Sequence, residues 1–136
     1  MQPDARREAG RWQEQAERDI DDARYCLQGN RFNLACFMAQ QAAEKSMKAF
    51  LYASGVEEPW GHSVADLCRE AGDRDDDFRK LHPEVAPLDK FYVPTRYPNG
   101  LPGGIPSEAF SADDARGAIE MAGKVIALVE TKIEPR

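Results

Sequence analysis

Apolar residues recur at alternating intervals of three and four from the start of the chain: Ala5, Ala9, Trp12, Ala16, Ile20, Ala23 and Leu27. That spacing predicts one long amphipathic helix over residues 4–28, closed by Gly29-Asn30. A second helix, from about Arg31 to Ser54, has a stripe at Phe32, Ala35, Ala39, Ala42, Ala43, Met47 and Phe50, with Leu34, Phe37 and Met38 on its other sides. A helix apolar nearly all round belongs at the centre of a bundle. Set into it is a polar ladder, Gln41, Glu44, Lys45 and Lys48, whose i, i+3, i+4, i+7 spacing puts the four on one face.

Further along, Ser63 with Asp66 three residues later reads as a capping-box variant ahead of Val64, Leu67, Cys68 and Ala71, a short third helix. The charged turn Asp73 to Asp77 leads to Phe78 and Leu81, and Pro83 and Pro87 then predict a broken helix from about 75 to 92. The last helix starts at a Ser111 cap, with Asp114 three residues on, and runs through Ala115, Ala118, Ile119, Ala122, Val125, Ile126 and Val129 to Ile133. Between the last two lies a segment from about Val93 to Phe110 with prolines at 94, 98, 102 and 106. Loops of this length in compact domains are functional or disordered, and the fixed proline φ angles favour an ordered one lying over the bundle. With no strand pattern and no repeat, the expectation is an all-α antiparallel bundle of about five helices forming one domain over 1–136.

Composition narrows the function classes. The 24 acidic and 18 basic residues give a net charge of -6, which argues against a surface that coats nucleic acid but leaves room for a local basic groove. No apolar run approaches the ~18 residues of a membrane span, and the charged start does not read as a leader, so a cytoplasmic protein is expected. Cys26, Cys36 and Cys68 lie far apart in apolar patterns and read as buried free thiols. There is no CxxC pair and the only histidines are His62 and His82, so neither a metal nor a cofactor is expected.

The candidate chemistry sits in two places. As a solvated stripe, the ladder explains Lys45 and Lys48, with Glu44 and Lys48 an i,i+4 pair worth only ~0.2–0.5 kcal/mol. It explains Gln40-Gln41 less well, because two amides among Phe37, Met38, Ala39, Ala42 and Ala43 need partners. Gln41 and Glu44 therefore either bond the backbone of another helix or line a site. In the loop, Arg96-Tyr97-Pro98 offers a guanidinium beside an aromatic ring, suited to gripping phosphate or stacking on a base, or else to tying the loop to Glu44. His62 and His82 read as packing or capping residues. No P-loop, GxGxxG or GxSxG occurs, so no catalytic residue is assigned.

Four motifs in order resemble the HEPN domain: Ala16-Glu-Arg-Asp19; the run from Ala39 to Ala49, of the form A-x-Q-Q-A-x-E-K-x-x-K-A; His62-Ser63 before the third helix; and Tyr92 to Pro98, of the form Tyr-x-x-x-Arg-Tyr-Pro. The resemblance spans nearly the whole chain. It implies a bundle of about five helices, commonly a homodimer, paired in many two-gene systems with a minimal nucleotidyltransferase and proposed to bind nucleotide. The candidate ligand-binding set is then Arg96, Tyr97, Lys48, Gln41, Glu44, Lys45 and His62, with nucleotide or RNA as ligand. Several HEPN branches are metal-independent ribonucleases that use an arginine separated by roughly four to six intervening residues from a histidine. Here the matching positions after Arg96 are Leu101, Pro102 and Gly103. A non-catalytic binding and interaction module is therefore the leading expectation, and a toxin-like ribonuclease the alternative.

Overall fold

A computed structural model describes residues 3–133. Among these residues there are six α-helices and two 3-10 turns, with no strand, in the order α1 (Pro3–Gln28), α2 (Phe32–Ala53), α3 (Val64–Gly72), α4 (Asp76–Val85), α5 (Pro106–Ala109) and α6 (Ala112–Lys132). The turns are Ala86–Phe91 and Pro98–Gly100. The helical bundle and the central place of α2 are as the periodicity predicts. Ala35, Ala39, Ala42, Ala43, Met47 and Leu51 of α2 are wholly buried, with α1, α6 and α3 packed against it. Alanine on so many faces lets neighbouring helices approach closely from several directions.

The ends follow from local chemistry. Asn30 takes a left-handed conformation at φ 60° and stops α1, while Ser111 and Asp114 form a complete capping box at the start of α6. At α3 the Ser63 hydroxyl accepts from the Asp66 N–H, and the other half of the cap comes from a distance. Asp89, in the Ala86–Phe91 turn, accepts from Ser63 Oγ and from the Val64 N–H, both at 2.6 Å. An anion at the positive end of α3 thereby fastens the 86–91 turn to it.

Two details differ from the sequence expectation. Pro83 does not divide the fourth helix but lies inside α4; the break comes at Ala86-Pro87. The proline-rich segment is also more structured than a loop, holding the Pro98–Gly100 turn and the four-residue α5. Its anchor is Thr95, fully buried, whose hydroxyl donates to the Phe91 carbonyl at 2.6 Å and whose own carbonyl accepts from Asn33 Nδ2 of α2 at 3.0 Å.

Candidate functional site

Glu44 is the hub of the polar ladder, and it is buried, at 4% exposure. Its Oε2 lies 3.1 Å from Lys48 Nζ and 3.1 Å from His62 Nδ1, and its Oε1 accepts longer bonds of 3.4 Å from Gln40 and Gln41. The Lys48 side chain is 9% exposed. The pair is therefore not the solvated i,i+4 pair the spacing suggested: both side chains are buried, with Lys48 Nζ 5.7 Å from the Trp12 ring centre of α1 and His62 of the loop before α3 bonded to Glu44. Gln40, wholly buried, fixes that loop by donating to the His62 carbonyl at 2.9 Å. Neither Gln41 nor Glu44 bonds the backbone of another helix; Gln40 instead bonds the backbone of the loop before α3.

His62 neither caps α3 nor packs in the core. Its ring is 60% exposed, stacked on Tyr92 at 5.0 Å with 17° between the planes, and it presents Nδ1 to the carboxylate. A carboxylate only accepts, so Nδ1 carries the hydrogen of this bond.

Arg96 lies across the same Tyr92 ring. Val93 accepts the Arg96 and Tyr97 N–H groups, making the tight turn that carries both residues. Arg96 Nε donates to the Tyr92 carbonyl at 2.9 Å, and the guanidinium carbon sits 4.3 Å from the Phe37 ring centre, 4.7 Å from Tyr92 and 5.1 Å from Tyr97. The ion pair with Glu44 that stood as the alternative role is absent among the described residues. Three π faces take its place, and no described carboxylate pairs with Arg96. Tyr97 is 52% exposed, so the cage opens to solvent on its side. Gly100 lets this turn close: a Cβ there would stand 2.9 Å from Pro94 Cα.

Lys45 leaves this assembly. It reaches Asp19 of α1 at 2.6 Å, a buried carboxylate that also accepts from Gln15 at 2.8 Å. The ladder thus splits. Gln41, Glu44 and Lys48 gather with His62, and His62 meets Arg96 and Tyr97 through Tyr92, whereas Lys45 ties α2 to α1. Sequence reasoning missed Gln13, also wholly buried, which accepts from Ser46 at 2.7 Å and donates to the Ile126 carbonyl at 3.2 Å, joining α1, α2 and α6. A glutamine on the apolar stripe of the first helix, between Trp12 and Ala16, was the available signal.

The three cysteines are free. Burial pushes the Cys36 thiol up to about 12, with a further contribution from Asp114, and burial pushes Cys68 to about 11 against a small opposing effect of Arg69. Among the described residues no group of three His, Cys, Asp or Glu side chains is placed to hold a metal, and no helix is long and apolar enough to cross a membrane.

Comparison with known proteins places this geometry in a family. The HEPN domain model matches residues 9–132. The solved structure of TT1696 from Thermus thermophilus is 37% identical, with 92% of this chain and 98% of that one covered at a TM-score of 0.86. ST0689, described as an archaeal HEPN homologue, is 35% identical, with 93% and 98% covered at a TM-score of 0.77. TM0613, a HEPN domain protein from Thermotoga maritima, is 29% identical, with 89% and 95% covered at a TM-score of 0.69. No curated protein matches. A family model spanning almost the whole chain, and full-length structural relatives above 30% identity, establish that this chain belongs to the HEPN domain family.

Proposed function

We infer that the protein is a cytoplasmic binding module, a HEPN homodimer that pairs with a minimal nucleotidyltransferase and holds a nucleotide, or a nucleotide of single-stranded RNA, against Arg96 and Tyr97. The observation that carries this reading is the state of Arg96: a cation fixed by a backbone bond and three rings, paired with no described carboxylate and beside a half-exposed Tyr97. Such a group meets a phosphate without first breaking an ion pair, while Tyr97 offers a stacking face to the base. His62 Nε2 and Gln41 are within the same polar surface. Lys48 acts indirectly, through Glu44, and Lys45 serves the α1 contact instead. The test is thermal unfolding with and without millimolar nucleotide: the wild type gains stability by mass action, and Arg96→Ala loses that gain. A wild type unmoved by any nucleotide or short oligonucleotide refutes the reading.

One observation favours RNA cleavage as a second reading. Glu44 orients His62 so that Nε2 of its exposed ring can take a proton, and His62 and Arg96 both lie within about 5 Å of the Tyr92 ring. The histidine missing after Arg96 could thus be supplied from the α2–α3 loop, as general base to a ribose hydroxyl. Incubation with single-stranded RNA in the presence of chelator decides it. Under the binding reading RNA stays intact; cleavage abolished by His62→Ala establishes the second.

A further inference from the structure

Trp60 is 88% exposed, the most exposed of the large apolar side chains. It is not on a slack loop. Pro59 before it is buried, and Gly61 after it sits at φ +96°, a conformation that other residues rarely adopt. The indole is therefore held outward. Glu57 and Glu58, just ahead of it, are exposed and form no ion pair among the described residues. The loop presents two carboxylates followed by a rigid aromatic anchor.

A recess of about 610 Å³ nearby offers this loop an aromatic wall and cationic side chains. It lies on α1 beside α2, with Trp12 as its aromatic wall and Arg11, Arg18 and Lys45 around it. Arg11 is paired with Glu8 and Lys45 with Asp19, so Arg18, exposed and without an ion pair, is the cation available to an incoming carboxylate. Glu8 and Glu14 on the same rim favour a defined orientation over indiscriminate acid binding. Trp and Arg are the residues that most often anchor protein interfaces.

Loop and recess border one another. Tyr52 packs on Trp12 with ring centres 5.6 Å apart, and its hydroxyl titrates above the usual value, first through burial and then through the nearby Glu8 and Glu58 carboxylates. Yet the loop does not fill the recess of its own chain. We propose that the Glu57–Trp60 loop of each protomer seats in the Trp12–Arg18 recess of a second copy, across a two-fold axis passing between them. Such an exchange is self-complementary: one patch, carrying both plug and socket, meets itself. It rests on the homodimer reading and names the surface that makes the dimer. It also sets His62, two residues beyond Trp60, at the edge of the interface, so each ligand site flanks the partner.

Sedimentation equilibrium on four forms tests the proposal: wild type, Trp60→Ala, Arg18→Glu, and Arg18→Glu combined with Glu57→Lys and Glu58→Lys. The altered side chains are exposed, and circular dichroism verifies the fold of each. Trp60→Ala should weaken the dimer at least ~30-fold, the effect of a ~2 kcal/mol anchor. Arg18→Glu should weaken it too, and the triple charge exchange should recover most of the loss. A dimeric wild type whose single variants dimerise equally well overturns this interface while leaving the homodimer intact. Failure of the charge exchange to rescue overturns the pairing of loop with recess. A wild type that stays monomeric at every concentration overturns both readings.

Discussion

Replacing Glu44 by glutamine is the sharpest test of how the polar ladder works. Were the ladder a solvated stripe, the change would remove an i,i+4 pair worth ~0.2–0.5 kcal/mol. The side chains of Lys48 and Glu44 are instead 9% and 6% exposed, so water and salt screen the pair little. Removing one partner of a buried pair costs ~3–5 kcal/mol, because the remaining charge stays desolvated. The glutamine oxygen can still accept from Lys48, which puts the expected loss at the lower end, about 3 kcal/mol. Lys48→Met should cost less, since His62 and two amides still bond the carboxylate. Carrying both changes leaves no unpaired buried charge, so the double variant should be more stable than Glu44→Gln alone, with a coupling of about 2 kcal/mol. Urea unfolding followed by circular dichroism reads this directly: with a slope near ~1.5 kcal/mol/M, a 3 kcal/mol loss moves the midpoint by roughly 2 M. Losses below ~0.5 kcal/mol for Glu44→Gln, or strict additivity in the cycle, would refute the buried-pair argument.

Other consequences are as direct. Arg96→Ala deletes three ring contacts and the bond to the Tyr92 carbonyl, and should lower stability by about 2–3 kcal/mol in the same titration, with less than ~1 showing that the cage does not hold the guanidinium. Gly100→Ala pushes a Cβ against Pro94, so amide resonance shifts should concentrate in residues 92–100 and the nucleotide response should fall; an undisturbed turn would contradict the close approach. At neutral pH a thiol-disulfide reagent should leave native Cys36 and Cys68 unmodified, because thiols raised to about 12 and about 11 hold almost no thiolate, and should titrate all three cysteines in urea. Asp75 is held below the usual carboxylate range by the Asp77 N–H and then by Lys132. Its folded pKa is depressed, so its contribution is present above the unfolded value and is lost as pH falls through the folded one. Asp75→Asn should therefore destabilise at pH 7 and match wild type near pH 2, by thermal melts at both.

The helices were legible because their apolar spacing is long and regular, and because Ser63, Ser111 and Gly29-Asn30 mark the ends with groups whose hydrogen bonding is local. What escaped was set by distance. Asp89 caps α3 from another element, and no pattern around Ser63 announces that. Pro83 was given too much force: α4 accommodates it and ends only at Val85, where the next proline follows at 87. The four-residue α5 is shorter than any periodicity can register. At the site, Arg96 and Tyr97 could be singled out from their own neighbourhood in the chain, but Phe37, which comes closest to the guanidinium, lies on α2 and read only as an extra apolar residue.

Why α2 carries the ladder at all follows from its alanines. Ala35, Ala39, Ala42, Ala43 and Ala49 form a smooth surface on which a neighbouring helix meets much the same packing after a small slide. Directional bonds lack that tolerance. Lys45 to Asp19 and Ser46 to Gln13 set the height of α1 along α2, and Gln13 to the Ile126 carbonyl sets α6 against both. Gln40 fixes the His62 backbone, Glu44 fixes the His62 ring, and Asn33 fixes the Thr95 carbonyl. Each of these three bonds holds a segment of the candidate site to α2. Polar groups along one central helix thus place the α2–α3 loop and the 92–97 turn relative to each other, although neither bonds the other directly. The functional face and the helix register are consequences of the same residues, which is why Glu44 and Lys48 of the ladder are buried while Gln41 and Lys45 lie at its half-exposed edge.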